Sequence, residues 1–273
     1  MPDSQVRVAP LVRVGPAGRA AVTGSDLVAV EEPLQLEIVH GPATARARLN
    51  AGVVLRTPGR DEDLATGLLF AEGFIRGADA IDRFDIVAPG HLRISLQPGV
   101  TLDDRLARRV LVRSGACGLC GRDAIDDLAG LGAQAAPGGA PISSALIRSL
   151  PALLRERQQV FHETGGLHAA AFIDASGAVE AIAEDIGRHN AVDKLVGARL
   201  RAASGAASAL VIVSGRAAFE IVHKAVMARV AVLASVGAPS SLAVETARAF
   251  NLTLIGFLRD DRFNIYSGFD RIV

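Results

Sequence analysis

The sequence has only two cysteines, no net charge and no long hydrophobic run. Lysine plus arginine and aspartate plus glutamate number 29 each, so no overall field attracts a polynucleotide or an anionic membrane surface. The longest apolar stretches, such as 209–213 and 230–234, are far shorter than the roughly 20 residues of a membrane-spanning helix. We therefore expect neither a nucleic acid nor a membrane among the partners.

The sequence also lacks a Walker motif, a GxGxxG motif and internal repeats. Its start, Met-Pro-Asp-Ser-Gln, has neither a cluster of positive charge nor an apolar run, so we expect no signal peptide. Two cysteines in such a chain favour the reducing cytoplasm, where thiols serve chemistry more often than cross-linking. The 273 residues, 50% hydrophobic and 21% charged, are typical of a globular protein with one large or two smaller domains.

Breaker residues divide the chain into parts. Residues 1–20 carry proline, glycine and alanine without periodicity and predict a flexible arm. Residues 21–131 predict a β-rich part that ends in the loop holding both cysteines. The glycine- and proline-rich segment 132–141 predicts a linker to an α/β domain at 142–273.

Hydrophobic periodicity predicts the elements of both parts. In the N-terminal part, period-two alternation predicts two β-hairpins with turns at 41–42 and 89–90, and a helix at 61–74 between them. In the C-terminal part, short apolar strands alternate with helices, which is typical of a largely parallel sheet covered on both faces; we predict an α/β fold, α+β over the whole chain. The predicted C-terminal elements are helices at 143–159, 188–203, 217–229 and 240–250, a hairpin of strands at 167–174 and 178–183 turned at 176–177, and strands at 209–214, 230–235, 252–257 and 263–266.

A ligand of such a sheet binds beyond the carboxyl ends of its strands, which here carry polar or glycine-containing turns. Two of these turns, 214–216 and 237–241, lead into helices, where free backbone amides favour phosphate. Arginines supply bidentate donors for phosphate, Asp260 or Asp261 could accept from a purine amino group, and Phe257 offers a stacking face. The alternative is a set of capped surface turns with solvated arginines. The candidate ligand-binding residues are Ser214, Gly215, Arg216, Gly237, Ser240, Phe257, Leu258, Arg259, Asp260, Asp261 and Arg262.

The two cysteines lie three residues apart, as Cys117-Gly-Leu-Cys120, in a loop spaced by glycines. Such a pair can be buried and inert, form half of a zinc site, cycle between dithiol and disulfide, or carry a transferable sulfur atom. Zinc would need two further ligands, for which His162 and His168 are the candidates. The glycines predict a mobile loop that suits delivery of a group between partners, and flanking arginines favour the thiolate, so we favour sulfur transfer.

Three histidines have patterns that bear on function. His223 follows Ile221 and Val222 on a predicted helix and is expected to be a satisfied core residue. His168 and His189 remain candidates for acid–base groups. A zinc deaminase needs an H-x-E sequence and a proline directly before the first cysteine. No histidine here begins an H-x-E sequence and Ala116 directly precedes Cys117, so deaminase chemistry is disfavoured.

These motifs together resemble the FdhD family, the sulfur carriers required for formate dehydrogenase activity. The resemblance covers roughly residues 30 to 270 and rests on motifs in the same order along the chain. They are Arg56-Thr-Pro-Gly-Arg60-Asp-Glu-Asp63, Glu72-Gly-Phe-Ile75, Cys117-Gly-Leu-Cys120-Gly121, Thr164-Gly-Gly-Leu-His168, 184–194, Ser214-Gly-Arg216, 237–241 and 256–266.

The resemblance implies a cytoplasmic accessory protein rather than a metabolic enzyme. Such a protein takes sulfane sulfur from a cysteine desulfurase and holds it as a persulfide, here on Cys117, with Cys120 as the second thiol. It implies transfer of this sulfur to the Mo-bis(molybdopterin guanine dinucleotide) cofactor of the formate dehydrogenase catalytic subunit, with GDP or GMP as mimics of the bound cofactor and no permanently bound metal. It also implies a homodimer, a cytidine-deaminase-like C-terminal domain and cofactor binding through residues 257–262. The chain departs from the family at Ala116, where serine is frequent, and at Asp260, where glycine is frequent. The rival interpretation is a nucleotide-binding dithiol/disulfide redox regulator.

Overall fold

A computed structural model describes residues 4–14, 22–102, 121–138, 141–202 and 210–273. In these ranges the chain forms a mixed α/β fold with three β-sheets. The strands are β1 (Val6–Arg13), β2 (Val22–Ala29), β3 (Glu32–His40), β4 (Ala47–Arg56), β5 (Ile81–Ala88), β6 (His91–Leu96), β7 (His168–Ile173), β8 (Val179–Asp185), β9 (Leu210–Val213), β10 (Val232–Ser235), β11 (Thr253–Gly256) and β12 (Asn264–Ser267). The helices are α1 (Asp61–Ala71), α2 (Gly121–Gly130), α3 (Ser144–Arg157), α4 (Gln159–Thr164), α5 (Arg188–Arg201), α6 (Phe219–Met227) and α7 (Ser241–Ala249).

The N-terminal sheet contains both predicted hairpins. Its order is β4-β3-β6-β5, with antiparallel pairs at β3–β4 and β5–β6 and a parallel pair at β3–β6. Alternate residues of β3, namely Leu34, Leu36 and Ile38, are buried in one core cluster with Leu64 of α1. The predicted hairpins and the helix between them are confirmed, although the helix ends at Ala71 rather than at residue 74.

The expected flexible arm contains a strand. Val6–Arg13 pairs antiparallel with β2 in a separate two-stranded sheet, so the prediction of an arm without regular structure is wrong for this segment. Valine and arginine alternate from Val6 to Val8, which is a strand pattern. Pro10 interrupts that pattern in the sequence, but an edge strand accommodates a proline because its outer amide needs no partner.

The C-terminal sheet is mixed rather than largely parallel. Its order is β12-β11-β10-β9-β7-β8, and only the β9–β10 and β10–β11 pairs are parallel. A turn of a few residues joins β7 to β8, and another short loop joins β11 to β12. Without a crossover helix, such short connections force antiparallel pairing. The prediction of a largely parallel sheet is therefore correct only at the centre. The antiparallel β7–β8 hairpin was predicted, whereas the antiparallel pairs β7–β9 and β11–β12 were not.

Helices cover both faces of this sheet, as predicted. Ala170 and Phe172 of β7 belong to a core cluster with residues of α5, α6 and α7, whereas Ala169 and Ile173 belong to a second cluster with residues of α3. Helix α2, which the sequence placed in the N-terminal part, adds Leu128 to the first of these clusters. The predicted domain boundary at residue 131 therefore does not coincide with a boundary in packing. Among the described helices, none is both long enough and apolar enough to cross a membrane.

The N-terminal and C-terminal parts meet where α1 crosses α5. A Cβ atom at Gly197 would overlap the carbonyl oxygen of Asp63, and one at Gly67 would overlap that of Asp193. Backbone therefore packs directly against backbone at the crossing, which requires glycine on both helices. This close crossing fixes the position of the β-rich part relative to the α/β sheet.

Candidate functional site

A cavity of about 800 Å³ lies at one end of the C-terminal sheet. Its wall combines the α3–α4 junction, the start of β7, the end of β9 and the loop after β11. The polar residues that line it are Arg155, Gln158, His168, Ser214, Arg259, Asp260, Asp261 and Arg262. Apolar lining comes from Pro151, Leu154, Phe161, Leu167, Val236 and Leu258.

Strand direction explains why these segments meet. β9, β10 and β11 run parallel, so their carboxyl ends share one edge of the sheet. β7 runs antiparallel to β9, so its first residues lie beside the end of β9, where the amide of Ala169 donates to Ser214 Oγ at 2.9 Å. The loop after β11 is held to the end of β10, because Leu258 N donates to the carbonyl of Ser235 and Arg259 Nη1 to that of Val236.

The mouth of the cavity is charged. Arg155 pairs with Asp260 at 3.3 Å and Arg262 with Asp261 at 3.0 Å, with side chains 59–75% exposed. Ion pairs this exposed contribute little to stability because water screens them. The arginines and carboxylates can therefore exchange these partners for groups of a ligand.

The structure brings together part of the predicted binding set. Ser214, Leu258, Arg259, Asp260, Asp261 and Arg262 line the cavity. Gly215, Arg216, Gly237, Ser240 and Phe257 do not belong to the described residues that line it. Phe257 has a left-handed backbone (φ 53°) and is 45% exposed. Because it does not belong to the described cavity wall, the cavity geometry gives no support to its predicted stacking role.

The two turns expected to offer free amides bind each other instead. Ala217 N donates to the carbonyl of Ala238, Gly237 N to that of Gly215, and Ser240 N to that of Ala217, at 3.0–3.2 Å. The prediction of free backbone amides is therefore wrong for these three groups. The hydroxyl of Ser240 accepts from the amide of Ala243 and caps α7.

His168 lies in the cavity wall beside Ser214. Its Nδ1 is 3.4 Å from Ser214 Oγ. Burial lowers the pKa of His168, and the charge of Arg188 lowers it further. Ser214 Oγ accepts from the amide of Ala169. In the tautomer in which the Ser214 hydroxyl donates to Nδ1, the ring carries Nε2–H as a donor.

The other two histidines have different surroundings. His223 Nε2 bonds to the carbonyl of Ala71 at 2.8 Å, which confirms the prediction of a satisfied core residue. His189 has a pKa lowered to about 4, first by burial and then by the charges of Arg188 and Lys224. Its Nε2 is buried, makes no hydrogen bond to a described residue and lies 4.0 Å from a carboxylate oxygen of Glu220.

We predict that His189→Gln changes how stability depends on pH. The unfolded imidazole binds a proton below about pH 6.5, whereas the folded imidazole does so only near pH 4, so the wild type loses stability through His189 as the pH falls between these values. The glutamine variant lacks this loss. The melting temperature of the variant relative to that of the wild type should therefore be higher at pH 5.0 than at pH 7.5. If the difference between the two proteins is the same at both pH values, the assignment is contradicted.

A buried polar joint, which the sequence did not reveal, links the N-terminal part to β8 and α5. Lys194 Nζ lies 2.7 Å from a carboxylate oxygen of Asp185 and donates to the carbonyl of Thr57 at 2.8 Å. Asp185 also accepts from the amide of Thr57 and from the side chain of Asn190. The segments 56–60 and 184–194 therefore meet in a structural contact. The pattern around Lys194 did not indicate it, because Asn190 and Gly197 share its helix face and resemble an exposed polar face.

Cys117 and Cys120 lie outside the described residues, so their predicted roles rest on the sequence. Of the two histidines considered as zinc ligands, His162 bonds through Nε2 to the carbonyl of Arg155 at 2.6 Å, and His168 faces Ser214. Within the described ranges, no group of three metal-binding side chains comes together.

Comparison with known proteins places the chain in a family. The model of the FdhD/NarQ family matches residues 29–273. Relatives named sulfur carrier protein FdhD include one from Anaeromyxobacter sp. (strain K), 46% identical over 92% of this chain and 90% of the relative, and one from Nocardia farcinica, 43% identical over 96% and 93%. A solved structure described as a formate dehydrogenase accessory protein from Desulfotalea psychrophila has the same fold, with a TM-score of 0.73, 20% identity and coverage of 99% of this chain and 100% of that one. The chain belongs to the FdhD/NarQ family, as its motifs predicted.

Proposed function

We propose that this protein is a sulfur carrier for formate dehydrogenase. It accepts sulfane sulfur from a cysteine desulfurase as a persulfide on Cys117 and passes it to the Mo-bis(molybdopterin guanine dinucleotide) cofactor. The observation that carries the proposal is the match, over 92% of the chain, to relatives named sulfur carrier protein FdhD. The cavity supports it by offering a place for the nucleotide end of the cofactor.

The two thiols suffice for balanced chemistry. The Cys117 thiolate attacks the outer sulfur of the desulfurase persulfide, whose S–S bond breaks as the desulfurase thiolate leaves, so this step needs no external oxidant. For release, a second thiol attacks the inner sulfur of the Cys117 persulfide. The outer sulfur then departs as hydrosulfide with two electrons, and the two thiols become a disulfide. Cys120 supplies this second thiol, and an external thiol can replace it.

The cavity fits a guanine nucleotide, which is one end of the proposed client cofactor. Its volume of about 800 Å³ lies in the range of small-molecule sites. Arg155, Arg259 and Arg262 offer guanidinium groups that bind phosphate oxygens through paired hydrogen bonds. Asp260 and Asp261 offer carboxylates that can accept from an exocyclic amino group.

Intact-mass spectrometry separates the proposal from the redox-regulator alternative. After incubation with a cysteine desulfurase and its cysteine substrate, the protein should gain the mass of one sulfur atom, and a reductant should remove it. The Cys117→Ala variant should gain none. A redox regulator would instead lose two hydrogen atoms and gain no sulfur, which would overturn the proposal.

We predict that GDP binds more tightly than ADP, and that Arg262→Ala weakens GDP binding about 10- to 100-fold, since a hydrogen bond to a charged group contributes about 1.5–3 kcal/mol. The matched control is Arg216→Ala, because Arg216 is also exposed but does not line the cavity. Isothermal titration calorimetry measures both affinities. Equal affinity for ADP, or an equal loss in the control, would contradict the site.

The homodimer, the cytoplasmic location and the cytidine-deaminase-like domain that the resemblance implies stay predictions. The same holds for the desulfurase as sulfur donor. The binding measurement needs none of them, and the mass measurement tests the desulfurase as sulfur donor directly.

A further inference from the structure

Gln158 is a buried polar residue of the cavity wall with an unused side chain. It joins α3 to α4, is 3% exposed and lines the cavity. Its backbone is satisfied, since its amide donates to the carbonyl of Arg155 and its carbonyl accepts from His162 N. Its carboxamide makes no hydrogen bond to a described residue and is not among the fully enclosed polar groups without a partner, so its donor and acceptor are open to the cavity.

The polar groups around Gln158 are already engaged. The carboxylate of Glu184 accepts from the amides of Val160 and Phe161 at 3.1 and 2.9 Å and so satisfies the start of α4. The ring of His162 bonds to the carbonyl of Arg155. None of these bonds involves the carboxamide of Gln158, so the partner we expect for it is a ligand in the cavity.

A carboxamide presents an acceptor, Oε1, beside a donor, Nε2. Its complement is a cyclic lactam, in which N–H and C=O are adjacent, so that two parallel hydrogen bonds form. We propose that Gln158 is a specificity-determining residue that pairs with the lactam edge of a ligand's heterocycle. The proposal rests on the proposed function in that it concerns the same cavity. Guanine and pterin share this edge, and the cofactor proposed as client carries both.

The distribution of charge along the wall supports this orientation. Gln158 and His168 are uncharged and at least partly buried, and Leu154 and Phe161 beside them offer apolar surface for a planar ring. The guanidinium and carboxylate groups belong to the exposed loop at residues 259–262 and to Arg155. A heterocycle therefore suits the neutral part of the wall and phosphates suit the charged mouth.

Two methionine variants test the proposal. Methionine has nearly the shape of glutamine without its polar atoms, and Gln159 provides the matched control because it is adjacent but exposed. Gln158→Met should weaken GDP binding about 10- to 100-fold by calorimetry. Its melting temperature should stay close to that of the wild type, because methionine has a similar volume and the carboxamide makes no hydrogen bond to a described residue. Gln159→Met should change neither quantity.

Modified ligands identify the bonded edge. 1-Methyl-GDP lacks the N1–H donor, so it should bind the wild type weakly, and Gln158→Met should no longer distinguish it from GDP. If Gln158→Met weakens 6-hydroxymethylpterin and leaves GDP unchanged, the pterin is the source of the lactam. Unchanged affinity for both ligands, or a fall of several degrees in the melting temperature of Gln158→Met, would overturn the proposal. A wild type that binds neither ligand would instead overturn the proposed cofactor site itself.

Discussion

Replacement of Cys117 by alanine is expected to abolish the activation of formate dehydrogenase, whereas Cys120→Ala should leave part of it. In the proposed mechanism the persulfide forms on the Cys117 thiolate, and the chain contains no third cysteine that could replace it. Cys120 is proposed only to resolve the persulfide, a step that cellular thiols can perform more slowly. We therefore expect a large difference in formate dehydrogenase activity between the Cys117→Ala and Cys120→Ala variants.

The measurement is formate dehydrogenase activity in cells that lack their own carrier and express each variant. Binding of GDP by the purified Cys117→Ala protein is the control, because we propose that GDP is held by the described residues that line the cavity, and the affinity should therefore match that of the wild type. Equal and complete loss of activity in both cysteine variants would favour an obligate dithiol, as in the redox regulator. Full activity in Cys117→Ala would contradict the carrier function.

Much of the fold could be predicted because local pattern and final environment agree. In β3, Leu34, Leu36 and Ile38 alternate with polar residues and bury one face of the strand, which is the outcome that a period of two predicts. The central strands of the C-terminal sheet are short and apolar because both faces are covered. Strand direction at the edges of that sheet could not be predicted from periodicity, since it depends on the length of the connections.

The sequence predicted only those residues of the candidate site that follow the parallel strands of the sheet. Ser214 and the loop 258–262 follow strands whose carboxyl ends share an edge, and both line the cavity. Gln158 and His168 come to the same cavity from a helix junction and from the start of an antiparallel strand. The sequence named His168 as a candidate acid–base group without placing it at this cavity, and gave no indication for Gln158, because tertiary packing alone brings both residues there.

The second large effect is expected from Lys194→Met, which should lower the free energy of unfolding by about 3–5 kcal/mol. Lys194 and Asp185 are both almost fully buried, 1% and 0% exposed, and lie 2.7 Å apart. Removal of the ammonium leaves a buried carboxylate without its counter-charge, which costs far more than the intact pair contributes. Urea unfolding at pH 7 measures the change. The matched control is Arg83→Met, whose exposed pairs with Asp82 and Asp85 should contribute less than about 1 kcal/mol.

A double variant distinguishes a lost charge pair from a poorly packed methionine. If the loss of stability arises from the unpaired carboxylate, the double variant should lose less stability than the sum of the two single variants. The reason is that Asp185→Asn removes the charge that Lys194→Met leaves unpaired. Additive costs would show that packing, not charge, makes Lys194 necessary.

Because Lys194 also bonds to the carbonyl of Thr57, the joint holds the N-terminal part against the α/β sheet. Loss of stability with unchanged GDP affinity would then assign the segments 56–60 and 184–194 to assembly of the fold rather than to ligand binding.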